Sequence, residues 1–445
     1  MKQLSFLENE EASLKIKRAT GVKTDQDRLE EKYAARLREE LRLTNIVSYV
    51  ANKGLPVLRL YRYKEAFAFR FIEEFISRFE LNEKDFIFDP FCGMGTTLFA
   101  SSQKGIPSIG TDKLPIAVFI AKTLPLFYGL KEGQLQKTFE KLKARVHKVP
   151  PASIALDVAI MKVAFPDEIL LKLRRWKTVI DDLESPLKDV FLLLFFSVLE
   201  SCSYTSKDGQ FLRLIRDKKV ADPEEAIEIK VREAETDIRL IKEFGWDKAI
   251  QLPAVYSGDT RNLTDIPFPR QPTAILTSPP YANRYDYTRT YSLELCFHFV
   301  KNFEELKALR FGILRSHIEA KVDSEETAPH KSVKEVVDIL KERGKALNNP
   351  RIPLMLTAYF VDMQMVIKEW ARVLADGAKV ALVVDNVRFE GEMLPVDLVL
   401  SEMAEEAGFE VKEIIVARYK GNSSQQMGKY GRVPVRESIV VWKKP

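Results

Sequence analysis

Cysteine and histidine are scarce in this chain of 445 residues, with three of the first and four of the second. Cys92, Cys202 and Cys296 stand far apart, odd in number and without a C-x-x-C pair. That excludes a disulfide framework or a zinc site and points to a reducing compartment. His147, His298, His317 and His330 form no H-E-x-x-H or comparable cluster, so no metal is expected. Long apolar runs are missing too. The most apolar, Val190–Leu199, falls short of the ~20 residues that a bilayer demands and reads as a buried helix. The opening MKQLSFLENEEASLKIKR has no apolar core of a signal peptide, so a cytoplasmic protein without membrane contact is expected. Neither charge dominates: the formal net charge of +5 is compatible with a nucleic-acid partner and does not establish one.

What is present is an interrupted α/β rhythm. Residues 25–43 are charged and rich in helix formers, with Leu29, Tyr33, Leu37 and Leu41 every four residues, which predicts an amphipathic helix. After a Gly/Pro break, a second helix is expected from about Glu65. DFIFD (85–89), a glycine loop, the helix TTLFASSQKG, the strand SIGTD (108–112) and the helix PIAVFIAKTLPL then follow as a parallel α/β unit would. From about 131 to 250 the sequence turns helical and charged. Strands resume at AVYSGDTRNL (254–263) and AILTSPPY, lapse over about 300–350, and return from Lys379 to Val384 and in ESIVVWKK.

One α/β domain with two insertions accounts for this order. Its parts are an N-terminal helical segment (1–45), catalytic segments (46–125, 251–299 and 356–445), a helical insertion (126–250) and a second insertion (300–355).

Two stretches carry chemistry. In FDPFCGMGTTL (88–98), Gly93 and Gly95 let backbone approach a ligand, and the helix beginning at Thr96 offers unpaired N–H groups. The form is G-x-G without a Walker lysine, which disfavours pyrophosphate and a dinucleotide oxidoreductase. Asp89, Asp112 and Asp259 end three successive strands, the edge at which open sheets bind ligands. Asp112 is placed to accept from ribose hydroxyls and Asp259 from an adenine amino group, so an adenosine-containing ligand is expected.

The second stretch, Ser278-Pro279-Pro280-Tyr281, closes the apolar run Ala274–Leu276. Proline has no N–H and fixes φ, so nearby carbonyls stay unpaired. The Ser278 hydroxyl and a proline carbonyl can take both hydrogens of an exocyclic NH2, holding the nitrogen pyramidal, while Tyr281 offers a face for base stacking.

DPFCGMGTT followed by TSPPY resembles the S-adenosylmethionine-dependent DNA amino-methyltransferases, and the TSPPY form resembles their N4-cytosine members. The N6-adenine members more usually carry Asp or Asn before the prolines. The resemblance covers most of 46–125, 250–300 and 355–445, and LYRYKEAFAFRFIEEFI is similar to the cofactor-binding segment that precedes the glycine loop.

It implies a Rossmann-like methyltransferase sheet, mostly parallel with helices on both faces, and S-adenosyl-L-methionine as cofactor. Asp89, Phe91, Gly93 and Gly95 would line the methionine side, Asp112 the ribose and Asp259 the adenine, with Lys64 and Thr96 also cofactor-binding. Ser278, Pro279, Pro280 and Tyr281 would hold a cytosine flipped out of double-stranded DNA. Asn283, Arg284 and Arg289, among the tyrosines of NRYDYTRTY, are candidates for contacting that DNA, and a cognate restriction endonuclease is a candidate partner. The insertion between the ribose and adenine acids departs from the family's usual ordering. The alternatives are adenine N6 or an RNA base as acceptor, or a non-catalytic nucleic-acid-binding protein on the same fold.

Overall fold

The computed structural model describes residues 23–207, 211–247, 251–323, 325–344, 347–421, 428 and 431–445. In chain order, Thr24 caps helix α1 (Asp25–Tyr33), its hydroxyl accepting from the Asp27 N–H while the Asp27 carboxylate accepts from the Thr24 N–H. Strand β1 (Leu37–Glu39) and helix α2 (Phe69–Phe79) follow. Next come β2 (Ile87–Asp89), α3 (Thr96–Gln103), β3 (Ser108–Asp112) and α4 (Pro115–Thr123). The helical stretch holds α5 (Gln134–Val146), α6 (Asp167–Asp181), α7 (Leu187–Val198) and α8 (Pro223–Glu243), with a short hairpin of Thr205–Ser206 and Arg213–Leu214 between the last two. Then come β4 (Ala254–Ser257), β5 (Ala274–Thr277), α9 (Phe303–Gly312), α10 (Lys331–Arg343) and α11 (Ile352–Val373). The chain closes with β6 (Lys379–Asp385), α12 (Val396–Glu406), β7 (Glu410–Lys420) and β8 (Val435–Lys443).

Two compact units divide these elements. One contains the chain up to Val47 with Thr260–Tyr285 and Leu314–Pro445; the other contains Ser48–Asp259 and Asp286–Ile313. In the first, β5 runs parallel to β6, β6 and β7 both pair antiparallel with β8, and β1 lies parallel along β7. In the second, β2, β3 and β4 are all parallel, with β3 in the middle. Four of these six pairings are parallel, the mixed, mostly parallel α/β class that the sequence predicts.

Local pattern accounts for most of this. In α7 every residue from Val190 to Phe196 is buried, so its unbroken apolar run reflects an interior helix. Among the described residues, no helix is long and apolar enough to cross a membrane. One expectation fails. The predicted helix over 25–43 stops at Tyr33, because Leu37–Glu39 joins β7 as an edge strand and Leu41–Leu43 forms a 3-10 turn. Long-range strand pairing there outweighs helix propensity worth only tenths of a kcal/mol per residue, on the order of 0.7 at most for ordinary residues.

Candidate active site

The second unit carries the glycine loop. β2 delivers Asp89, almost wholly buried, whose Oδ1 accepts from the Phe91 N–H at 3.2 Å. The Gly95 N–H returns to the Cys92 carbonyl at 2.7 Å, closing a tight turn with Gly93 at φ +50° and Gly95 at φ +85°. A Cβ on Gly95 would lie 2.9 Å from the Ala121 Cβ of α4, and one on Gly93 would lie 3.2 Å from the Tyr63 ring. The loop therefore has glycine where helix and ring press closest. Thr96 opens α3, with its Oγ1 buried and unpaired.

Asp112 ends β3 and braces the same loop. Its Oδ2 accepts from the Gly93 N–H at 3.0 Å and its Oδ1 from the Leu114 N–H at 2.8 Å. Burial pushes its carboxyl up to about 6, against the pull of those N–H donors. Asp259, just past β4, is partly exposed and 3.7 Å from the Lys113 ammonium. Because β2, β3 and β4 are adjacent and parallel, the three acids share one edge of this unit, as the sequence predicts. Beside the loop, Tyr61, Tyr63, Met94, Arg59 and Arg62 help line a cavity of about 200 Å³.

In the first unit, β5 is buried throughout and stops at Ser278. Its register against β6 pairs Thr277 with Leu382, so the turn lies beside the end of β6. Ser278 Oγ donates to the Val383 carbonyl at 3.1 Å and lies 3.3 Å from Tyr281 Oη. Tyr281 Oη in turn donates to Glu437 of β8 at 3.2 Å. Pro279 is buried, while Pro280 and Tyr281 are half-buried. Lys420 spans Asp385 and Glu437, 2.9 Å from each, with its ammonium 5.7 Å from the centre of the Tyr281 ring. Arg418 also pairs with Glu437. Burial pushes the Asp385 carboxyl up to about 7, with Lys420 opposing. Burial, aided by Glu437 and Asp385, raises the Tyr281 phenol, which keeps its proton at neutral pH.

Comparison with known proteins decides what this geometry serves. Residues 8–123 match the N6/N4 methyltransferase family described as DNA methylase. The chain is 32% identical over 463 aligned residues to the type II methyltransferase M.BsoBI of Geobacillus stearothermophilus, covering 90% of this chain and 88% of that one. It is 35% identical over 454 residues to the type II methyltransferase M.AvaI of Nostoc sp. (strain PCC 7120), covering 92% of each. The chain belongs to the type II DNA methyltransferases of the N6/N4 family.

This DNA methyltransferase uses S-adenosyl-L-methionine, and the loop fits that cofactor: glycines leave room beside Tyr63, Thr96 Oγ1 lacks a partner, and a carboxylate stands at each strand end. Lys64 is turned elsewhere in this structure, its ammonium donating to the Lys207 carbonyl of the hairpin. Phe91 is half-buried in the loop.

The three DNA-contact candidates differ in setting. Asn283 Oδ1 accepts from the Tyr285 N–H at 3.2 Å and so stabilises the backbone after the turn. Arg284 is half-buried, at φ +71°, with its guanidinium 5.9 Å from the Phe389 ring and its basicity lowered by burial. Arg289 is exposed, 5.3 Å from the ring of Phe211, itself 46% exposed. The basic stretch 418–432 falls mostly outside the described residues.

Sequence reasoning missed a buried polar cluster behind the loop. Lys207 pairs with Glu294, both almost fully buried, and lies 4.6 Å from the Tyr291 ring and 5.0 Å from the Tyr61 ring. Tyr61 donates to Glu294 at 2.7 Å, Tyr291 to Glu65 at 2.5 Å, and Tyr291 stacks on Tyr63 with centroids 5.0 Å apart. This chain of contacts ends on Gly93. The residues concerned are spread from 61 to 294, so no local pattern announced them. Glu437 was also missed, although an acid inside the otherwise apolar ESIVVW was a readable signal.

Proposed function

We propose that this methyltransferase acts on the exocyclic N4 amino group of cytosine in a base flipped out of double-stranded DNA. The observation that carries the reading is the hydrogen-bond polarity at the turn. Ser278 Oγ has the Val383 carbonyl at 3.1 Å and Tyr281 Oη at 3.3 Å as acceptors for its single proton, which leaves the hydroxyl oxygen able to accept from an amine. A serine before the two prolines also matches the TSPPY form of the N4-cytosine members.

In the proposed mechanism the cofactor, when bound, supplies an electrophilic methyl group on a sulfonium. Ser278 Oγ and a proline carbonyl accept the two amino hydrogens, which draws the nitrogen lone pair out of conjugation with the ring. Tyr281 stacks on the base and fixes its plane, a contact worth ~1–3 kcal/mol. Held in line with that methyl group, the nitrogen would take it as the sulfonium gives it up and would then release its proton to water. Alignment of the reacting atoms, rather than a strong base, lowers the barrier. Exposed Arg289 beside Phe211 is the surface that we assign to DNA, pairing a cation for phosphate with an apolar ring. As the matched relatives are named type II methyltransferases, a restriction endonuclease reading the same site is the functional partner that we propose.

On the cofactor side, Asp89, Phe91, Gly93, Gly95 and Thr96 are assigned to the methionine portion, Asp112 to the ribose and Asp259 to the adenine. A carboxylate has about four lone-pair sites, and the Gly93, Leu114 and Lys113 N–H groups engage three on Asp112, leaving one for a ribose hydroxyl. Only the ionised form accepts from all of them. Because the Asp112 carboxyl sits at about 6, cofactor affinity should be constant between pH 7 and 8 and weaken by up to about tenfold per pH unit below pH 6. Calorimetry from pH 5 to 8 measures this; Asp112→Asn should bind more weakly, with no inflection near 6, and a flat wild-type profile would count against the assignment. Sequencing of modified bases in a host expressing the chain should find N4-methylcytosine at one short sequence; modification confined to adenine would overturn the reading.

A further inference from the structure

Tyr281 has its proton fixed by a residue more than 150 positions away. Glu437 lies on β8, is 2% exposed, and holds three partners: the Tyr281 hydroxyl, Lys420 and Arg418. A surface ion pair needs no such arrangement. A carboxylate buried this deeply is costly unless cations and donors satisfy it, and this one is matched by two cations and one phenol. The phenol is the partner that belongs to the Ser-Pro-Pro-Tyr turn.

The direction of each hydrogen bond matters more than its strength. Ser278 Oγ is placed as donor to Tyr281 Oη at 3.3 Å, and a phenol proton turned the other way would donate back to the serine. Were it to do so, it would occupy a serine lone pair that the amino group needs. Glu437 accepts the phenolic proton instead, and Val383 accepts that of the serine. Both protons therefore have acceptors outside the turn, on β6 and β8. Lys420 completes the arrangement: it bridges Glu437 to Asp385 at the end of β6 and keeps its charge over the Tyr281 ring, 5.7 Å from its centre.

We infer that Glu437 is a positioning residue for methyl transfer, setting the ring orientation of Tyr281 and leaving Ser278 free to accept from the substrate amine. The inference rests on the reading of the turn as the base-holding element, and it is independent of whether cytosine or adenine is the base. Glu437 acts only through Tyr281, which yields a distinctive expectation: removing either partner of one hydrogen bond should cost nearly as much as removing both.

A double-mutant cycle on DNA methylation tests this. Tyr281→Phe removes the hydroxyl without unpairing a charge, and Glu437→Ala removes the acceptor. Each should lower kcat about tenfold with KM for S-adenosylmethionine within about twofold, and the double variant should fall about tenfold rather than the hundredfold of independent effects. Glu437→Ala leaves Lys420 and Arg418 without their carboxylate, so Glu437→Gln is the companion variant. Its amide oxygen still accepts, and kcat should recover to within about threefold of wild type. Additive losses in folded, cofactor-binding variants would overturn the inference, as would a Tyr281→Phe enzyme with wild-type kcat. Absence of any DNA methylation by the wild-type chain would instead count against the proposed function, so the two failures are separable.

Discussion

Replacing Ser278 with alanine should lower kcat for DNA methylation by about a hundredfold, the scale of losing one preorganised hydrogen-bond partner of the reacting group. The methyl acceptor is an exocyclic amine. Its lone pair is delocalised into the ring, and an acceptor held out of the ring plane restores its nucleophilicity. In the proposed mechanism Ser278 is that acceptor, with the Val383 carbonyl 3.1 Å away to take its own proton. Alanine keeps the backbone kink set by Pro279 and Pro280 and removes only the oxygen. Fold and cofactor affinity should therefore survive: the lost bond to Val383 is worth about 1 kcal/mol, and none of the residues assigned to the cofactor is altered. Steady-state transfer of a labelled methyl group measures the effect. A wild-type kcat in Ser278→Ala would remove the role assigned to this hydroxyl.

Gly95→Ala should be the most damaging single change in the glycine loop. The residue sits at φ +85°, where a side chain is strained, and the new Cβ would meet Ala121 at 2.9 Å from its Cβ and 3.1 Å from its Cα. The second distance is to backbone, so α4 itself would have to shift. A destabilisation of about 2 kcal/mol is expected from backbone strain alone. Displacement of α3 would also move Thr96 and the Gly93 N–H that Asp112 holds. Thermal denaturation should show the loss of stability, and calorimetry at least a tenfold loss of affinity for S-adenosylmethionine, or about 1.4 kcal/mol. Gly93→Ala meets a side-chain ring at 3.2 Å rather than backbone and should cost less. Equal affinities for wild type and Gly95→Ala would show that the loop does not depend on this close approach.

How much of this was legible beforehand depended on the range of the forces involved. The three acids could be found because each ends a short apolar run, and the structure puts β2, β3 and β4 side by side. The turn at Ser278 could be found because two prolines after a buried strand are a local signal. Where partners are distant in sequence, the reading fell short. Leu37–Glu39 looked helical by period, yet pairing with Ile414–Val416 makes it a strand. Lys64 matched a cofactor segment by position, but its ammonium meets the carbonyl of Lys207. Lys207 is buried against Glu294, 87 positions away. Glu437 was read only as part of a closing strand. Its meaning came from Tyr281, Lys420 and Arg418 converging on it from two other elements.

The central claim concerns one atom of one base, and mass spectrometry of nucleosides tests it most directly. DNA free of modification is incubated with the purified chain and S-adenosylmethionine, digested to nucleosides and separated. N4-methyldeoxycytidine should accumulate with time and enzyme, and fall about a hundredfold with Ser278→Ala. N6-methyldeoxyadenosine as the sole product would contradict the account.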